Sequence, residues 1–156
     1  MKQQGLRIGG PAPDFTLRDQ FGQSVRLSSF RGSKSVAILF YPYAFSGVCT
    51  GEMAAVRDRL AEFATFDTEV LAVSCDPMFA LRAFADSDGL NFPLLSDFWP
   101  HGAVARDYDV FDDSAGCARR SSYVVDRDGA LCWAVHNAMP EGRDLDEHLR
   151  QLRSSL

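Results

Sequence analysis

Val36-Ala37-Ile38-Leu39-Phe40-Tyr41-Pro42-Tyr43-Ala44-Phe45-Ser46-Gly47-Val48-Cys49 is the stretch that decides the fold. From Val36 to Tyr41 the run is continuously apolar. A strand covered on both faces reads this way, because its side chains alternate between two apolar layers. The segment from Pro42 to Gly47 breaks the pattern. From Thr50 to Phe66 the spacing changes: Met53, Val56, Leu60 and Phe63 recur every three or four residues, with Glu52, Asp58, Arg59 and Glu62 between them. That period predicts an amphipathic helix with one buried stripe. Strand, loop and helix in this order open a βαβ unit, and Cys49 falls in the first turn of the helix.

Working outward, Val70 to Ser74 reads as a second buried strand. Asp76-Pro77 predicts an N-cap and a first-turn proline, and Gly89 a C-terminal stop. Met78, Leu81 and Phe84 mark the buried side of that helix. Upstream, Phe15-Thr16-Leu17 and Val25-Arg26-Leu27 flank a polar turn ending at Gly22, the pattern of a small hairpin. Downstream, Phe98 to Tyr108 reads as a loop leading into a short helix. Ser122 to Val125 and Leu131 to Val135 flank the turn Arg127-Asp128-Gly129 and predict an antiparallel pair. Asp144 and Glu147 form an acidic capping box before a helix burying Leu145, Leu149 and Leu152. A parallel half followed by an antiparallel half gives an α/β fold: a central mixed sheet flanked by helices, with an N-terminal β-hairpin, in the thioredoxin-like arrangement.

The chain has 156 residues, which fits one domain over 1–156. Hydrophobic residues make up 46% and charged residues 24%, an ordinary globular balance that excludes a disordered or collagen-like chain. The net charge of −5 gives no electrostatic reason to expect nucleic acid or an anionic membrane as partner. The longest uncharged stretch, Ser35 to Gly51, is broken by Pro42, Ser46 and two glycines, so no membrane span is expected. Met1 to Gly10 has no apolar segment of the secretory kind, which leads to the expectation of a cytoplasmic protein. In that compartment the four cysteines, at 49, 75, 117 and 132, are expected as thiols rather than as two disulfides.

Cys49 is the residue whose position carries chemistry. Unpaired backbone N–H groups and the helix dipole meet at a helix start, a setting that favours thiolate over thiol. Ser46 lies three residues earlier, a hydroxyl that both donates and accepts hydrogen bonds.

Pro42, Ser46 and Cys49 stand in a Pro-x-x-x-Thr/Ser-x-x-Cys pattern that resembles the active-site motif of the peroxiredoxins. Arg120-Ser121-Ser122-Tyr123-Val124-Val125-Asp126 resembles the strand that carries the family's active-site arginine. Pro11-Ala12-Pro13-Asp14-Phe15-Thr16-Leu17 and Phe92-Pro93-Leu94-Leu95-Ser96-Asp97 extend the likeness over nearly the whole chain. Ser96 to Val104 is similar to the one-cysteine alkyl hydroperoxide reductase E subgroup. The resemblance implies a thiol-dependent peroxidase for hydrogen peroxide and organic hydroperoxides. Cys49 would be oxidised to a sulfenic acid, with Arg120, Ser46 and Pro42 completing the catalytic set and no cofactor or metal required. The backbone N–H of Val48 and the rings of Tyr43 and Phe45 are expected at the substrate, and Glu52 is a candidate to orient Arg120. Arg119, one residue earlier, is expected at the surface.

Ionising the thiol supplies at most about 2 kcal/mol of the 8 kcal/mol or more, roughly, that enzymes contribute. The remainder must come from aligning the peroxide and stabilising charge as its O–O bond breaks. Regeneration needs a second thiol. The resemblance implies a low-molecular-weight thiol or small redoxin as reductant, and a homodimer. It leads to no expectation of a resolving cysteine in a C-terminal extension, and position 54 is alanine rather than a nearby cysteine. Alternatives are a peroxide-sensing redox module, or an internal disulfide resolved by Cys117 or Cys75, with Cys132 a further candidate. Of these Cys117 is expected to be the most mobile, in a Gly-containing loop. His101, His136 and His148 share no metal-ligand spacing with the cysteines.

Overall fold

The computed structural model describes residues 6–154; the first five and last two residues of the domain expected over 1–156 lie outside that range. The run from Val36 is strand β3 (Ser35–Phe40), buried at every position, and it lies in the interior of a seven-stranded sheet. It pairs in parallel with β4 (Thr68–Ser74) and antiparallel with β8 (Ser121–Val125). Outward from β4 lie β5 (Leu94–Ser96) and the hairpin β1 (Thr16–Arg18) and β2 (Ser24–Arg26); outward from β8 lies β9 (Leu131–His136). The sheet order is β2-β1-β5-β4-β3-β8-β9.

Alternation along β3 divides its side chains between two cores. Ala37 and Leu39 join a core with Met53, Val56, Leu81, Phe84 and Leu149 from helices α1 (Gly47–Asp58), α3 (Met78–Asp88) and α5 (Leu145–Ser154). Val36, Ile38 and Phe40 face the other core, with Phe15, Tyr123 and residues of the short helix α4 (Ala103–Asp107).

Several elements differ from the sequence expectation. The helix expected from Thr50 to Phe66 starts three residues earlier, at Gly47, and divides at Arg59, leaving α2 (Leu60–Ala64) as a separate turn. Gly47 and Val48 have no place in the apolar stripe, so periodicity alone could not mark the true start. Asp76 does not cap α3. Pro77 takes the capping position, while the Asp76 carboxylate accepts from the Ala44 N–H (2.8 Å) and the Ser74 hydroxyl (2.7 Å). Gly89 closes α3 in the left-handed conformation, φ 62°, as its position implied. Asp144 accepts from the Glu147 N–H (3.2 Å), half of the expected capping box; the Glu147 carboxylate turns instead to Arg150 and Gln151. Strand β5 and a two-stranded ribbon, β6 (Phe111–Asp112) with β7 (Cys117–Ala118), were not anticipated.

Candidate active site

The C-terminal end of β3 delivers the chain into the loop that holds the motif. Phe45 adopts φ 68°, a left-handed conformation that costs a non-glycine residue on the order of 1–2 kcal/mol. Two anchors hold the bend: the Asp76 carboxylate on the Ala44 amide, and the Phe45 ring on Phe84 at 5.0 Å between centroids. Phe45 therefore lies outside the cleft it was expected to wall. Ser46 occupies the N-cap position of α1, yet its hydroxyl makes no capping bond. The amides of Gly47, Val48 and Cys49 have no preceding helical carbonyl to bond.

Pro42, Tyr43, Ser46, Gly47, Val48, Arg120, Met139 and Pro140 line an open cleft of about 400 Å³ at this helix start. Cys49 lies buried beside it. Tyr43 leans across to donate its hydroxyl to the Ala115 carbonyl at 2.9 Å. Antiparallel pairing of Phe40 with Ser121 brings the preceding residue, Arg120, past the end of β3 and next to Cys49. Its side chain is 2% exposed, and Nη1 donates to Cys49 Sγ at 3.5 Å. Nε and Nη2 donate to the Met139 carbonyl at 3.3 and 2.9 Å. Arg119 is exposed, on the surface.

Glu52 lies on α1 near Cys49, with a side chain 6% exposed. One carboxylate oxygen accepts from Arg120 Nη1. The other accepts the backbone N–H of Arg143 at 2.6 Å and lies 3.5 Å from Arg143 Nε. Arg143, which the sequence reading missed, has a side chain 1% exposed. Nη1 donates to the Ser121 carbonyl (3.2 Å) and the Ser122 hydroxyl (3.1 Å), and Nη2 to the Phe40 carbonyl. Burial pushes its guanidinium down to about 10. Met139 and Pro140, in the turn after β9, are likewise cleft residues that no local pattern marked.

The arrangement suits peroxide chemistry. Two guanidinium charges face one carboxylate in a buried cluster, so negative charge building on sulfur and on peroxide oxygens is balanced locally, where screening is weak. Ser46 and the open amides supply donors for an oxygen atom. The Arg120 fork is held from behind, so it is oriented before a substrate arrives.

Cys75, just after β4, and Cys132, within β9, are placed as expected, but Cys117 is not. Cys117 lies in β7 and is fully buried, not in a mobile loop. Burial raises its thiol and pushes that of Cys75 up to about 12. Cys132, in β9, donates to the Val124 carbonyl at 3.3 Å. Among the described residues no cluster of His, Cys, Asp or Glu is arranged to hold a metal ion. No helix among them is long and apolar enough to cross a membrane.

His148 is the histidine that meets Ser122, beside Arg143. It is 1% exposed, packs edge-on against Trp133 at 4.9 Å, and burial pushes it down to about 4. The charged groups acting on it are Asp144, Glu147 and Arg143. Below about pH 6.5 the unfolded chain takes up a proton that the fold refuses, so His148 removes stability as pH falls from about 6.5 to 4, by about 3 kcal/mol in all. Asp97, pushed up to about 6 chiefly by burial, acts in the opposite sense and adds stability as pH falls through 6. Asp97 thus offsets part of the His148 effect in the parent, while His136, which burial also lowers, adds to it. His148→Phe lacks the His148 effect, so its melting temperature should gain on the parent by about 5–10 °C between pH 7 and pH 4.5. Thermal melts of the two proteins across that range check this, and parallel curves would contradict it.

A buried cysteine at a helix start, faced by a clamped arginine on a thioredoxin-like sheet, defines a thiol-based peroxidase. Comparison with known proteins agrees. Residues 8–134 match the AhpC/TSA family, and the chain belongs to it. Alkyl hydroperoxide reductase E of Mycobacterium tuberculosis is 48% identical over 139 residues, covering 89% of this chain and 91% of the relative. Among solved structures, the reduced 2-Cys peroxiredoxin of Plasmodium vivax superposes with a TM-score of 0.87 at 28% identity, covering 95% of this chain and 81% of the other. Peroxidoxin BcpB of M. tuberculosis superposes with a TM-score of 0.85 at 30% identity, covering 96% and 98%. The chain is a peroxiredoxin, a thiol-dependent peroxidase with the family's thioredoxin-like fold.

Proposed function

We propose that Cys49 reduces hydrogen peroxide and organic hydroperoxides in a one-cysteine cycle regenerated from outside the chain. The thiolate attacks the terminal peroxide oxygen. An S–O bond forms as the O–O bond breaks, and the alkoxide or hydroxide leaves and takes up a proton. The product is the Cys49 sulfenic acid. A low-molecular-weight thiol or small redoxin then displaces water to give a mixed disulfide, and a second thiol releases Cys49. The observation carrying this reading is the Arg120 guanidinium on the Cys49 sulfur at the edge of a cleft that also presents the Ser46 hydroxyl. The apolar walls from Pro42, Tyr43, Val48, Met139 and Pro140 favour organic hydroperoxides. The burial of Cys75 and Cys117 favours an external reductant over an internal partner.

A cytoplasmic homodimer is the form we propose. A nucleophilic thiol has to stay reduced between turnovers, which suits a reducing compartment. Large apolar side chains left in solvent, with Trp99 at 82% exposure and Phe79 at 72%, support a second copy as partner. Light scattering on the purified protein tests the dimer.

Intact mass of the reduced protein after one equivalent of hydroperoxide tests the chemistry. The expected product is the protein plus one oxygen atom, returned to the starting mass by added thiol. Loss of two hydrogens instead would mean an internal disulfide and would overturn the external route.

A further inference from the structure

Behind the Arg120–Glu52 pair runs a line of buried polar groups, through Arg143, to Ser122 and His148, which the chemistry above does not use. His148 Nδ1 lies 2.7 Å from the Asp144 carbonyl oxygen, which can only accept. Nδ1 therefore carries the ring proton, and Nε2 has a lone pair. Nε2 lies 2.7 Å from the Ser122 hydroxyl, so that hydroxyl must donate its proton to the ring. The oxygen lone pairs are thereby turned away from His148 and toward Arg143 Nη1, 3.1 Å away. Arg143 grips Glu52 through its backbone N–H, and Glu52 holds Arg120. Each hydroxyl or ring proton in the line has one acceptor, so the direction of the donors is fixed from α5 to the site.

We propose that His148, acting through Ser122, is a positioning residue for peroxide reduction: it fixes the Ser122 proton so that Arg143, Glu52 and Arg120 hold one arrangement against Cys49. This rests on the peroxidase reading. Without the ring acceptor the Ser122 hydroxyl proton can turn toward Arg143, where it opposes another donor. The guanidinium then loses a defined partner, and the looseness passes through Glu52 to Arg120. A misplacement of a clamping group by about 1 Å can cost on the order of 10²-fold in rate. Three intervening groups dilute that effect.

The test compares two reactions of Cys49 in stopped flow: with hydroperoxide, which needs both the thiolate and the aligned Arg120 fork, and with iodoacetamide, which needs the thiolate but no alignment of a peroxide. His148→Phe keeps the ring against Trp133 and removes both nitrogens. It should slow the peroxide step about 10-fold while alkylation changes by less than about twofold, and His148→Gln, which keeps an acceptor, should recover most of the loss. Ser122→Ala should show the same split, and the double variant should be no slower than either single one. Should His148→Phe fail to fold, Ser122→Ala decides alone. Parental peroxide rates in the folded variants, or peroxide and alkylation rates falling together, would overturn the proposal. A parent that does not react with hydroperoxide would instead overturn the peroxidase reading beneath it.

Discussion

Cys49→Ser is expected to abolish hydroperoxide reduction and leave the fold intact. An alcohol is a far weaker nucleophile than a thiolate at neutral pH unless a base takes its proton. The group that hydrogen-bonds the Cys49 sulfur, the Arg120 guanidinium, is a permanent cation that cannot serve as that base. The positioning groups remain, but they stabilise a transition state that can no longer form. Turnover should fall by at least about 10⁴-fold, as when a nucleophile is removed from other activated sites. The serine hydroxyl can still accept from Arg120, and Glu52 still neutralises that arginine, so melting should change little. Peroxide consumption in the presence of excess thiol, followed beside a thermal melt, checks both halves. Residual turnover within tenfold of the parent would move the reaction to Cys75, Cys117 or Cys132.

The second large effect is expected at Glu52. Its carboxylate is the counter-charge shared by Arg120 and Arg143, both essentially out of solvent. Glu52→Ala leaves two guanidiniums buried without it. Removing one partner of a buried ion pair typically costs about 3–5 kcal/mol, because the remaining charge has lost its compensation. For a domain of this size that corresponds to a fall in melting temperature of about 10 °C or more. Freed from Glu52, Arg120 also loses one of the groups fixing it at the sulfur, and the peroxide step should slow by about 10- to 100-fold. Glu62→Ala, which breaks the exposed pair with Arg59, is the control and should shift melting little. Melts within a couple of degrees of the parent for Glu52→Ala would show that the buried cluster is held by its backbone partners instead.

These two positions also show how far the chain can be read without its structure. Pro42, Ser46 and Cys49 sit within one loop and one helical turn, so spacing alone brings them together. Arg120 was legible only through the likeness of its strand to the family's; the pairing of β8 with β3 that brings it to Cys49 is seen in the structure alone. Glu52 could be suspected from its place on the helix, but its second partner could not. Arg143 stands 91 residues away, in an irregular turn before α5, with no periodic pattern to mark it. His148 gave no signal because a buried histidine on a helix face looks like any other polar residue until its neighbours are known. Phe45 misled for the opposite reason. Adjacency to the motif suggested the cleft, and a left-handed backbone turned its ring toward Phe84 instead. Strand β5 escaped because, unlike the equally short β1 and β2, it has no turn beside it pairing it with a neighbouring run.

The uncapped start of α1 has a consequence for motion. A helix whose capping residue, Ser46, withholds its hydroxyl has fewer bonds holding its opening turn than its later turns. On the proposed reading, an oxygen atom of a bound hydroperoxide would complete what the polypeptide left open, so for the length of each encounter the ligand would serve as a piece of secondary structure. Amide hydrogen exchange at Gly47, Val48 and Cys49 should therefore slow when the cleft is occupied and recover when it empties, a rhythm of tightening and release locked to the catalytic cycle.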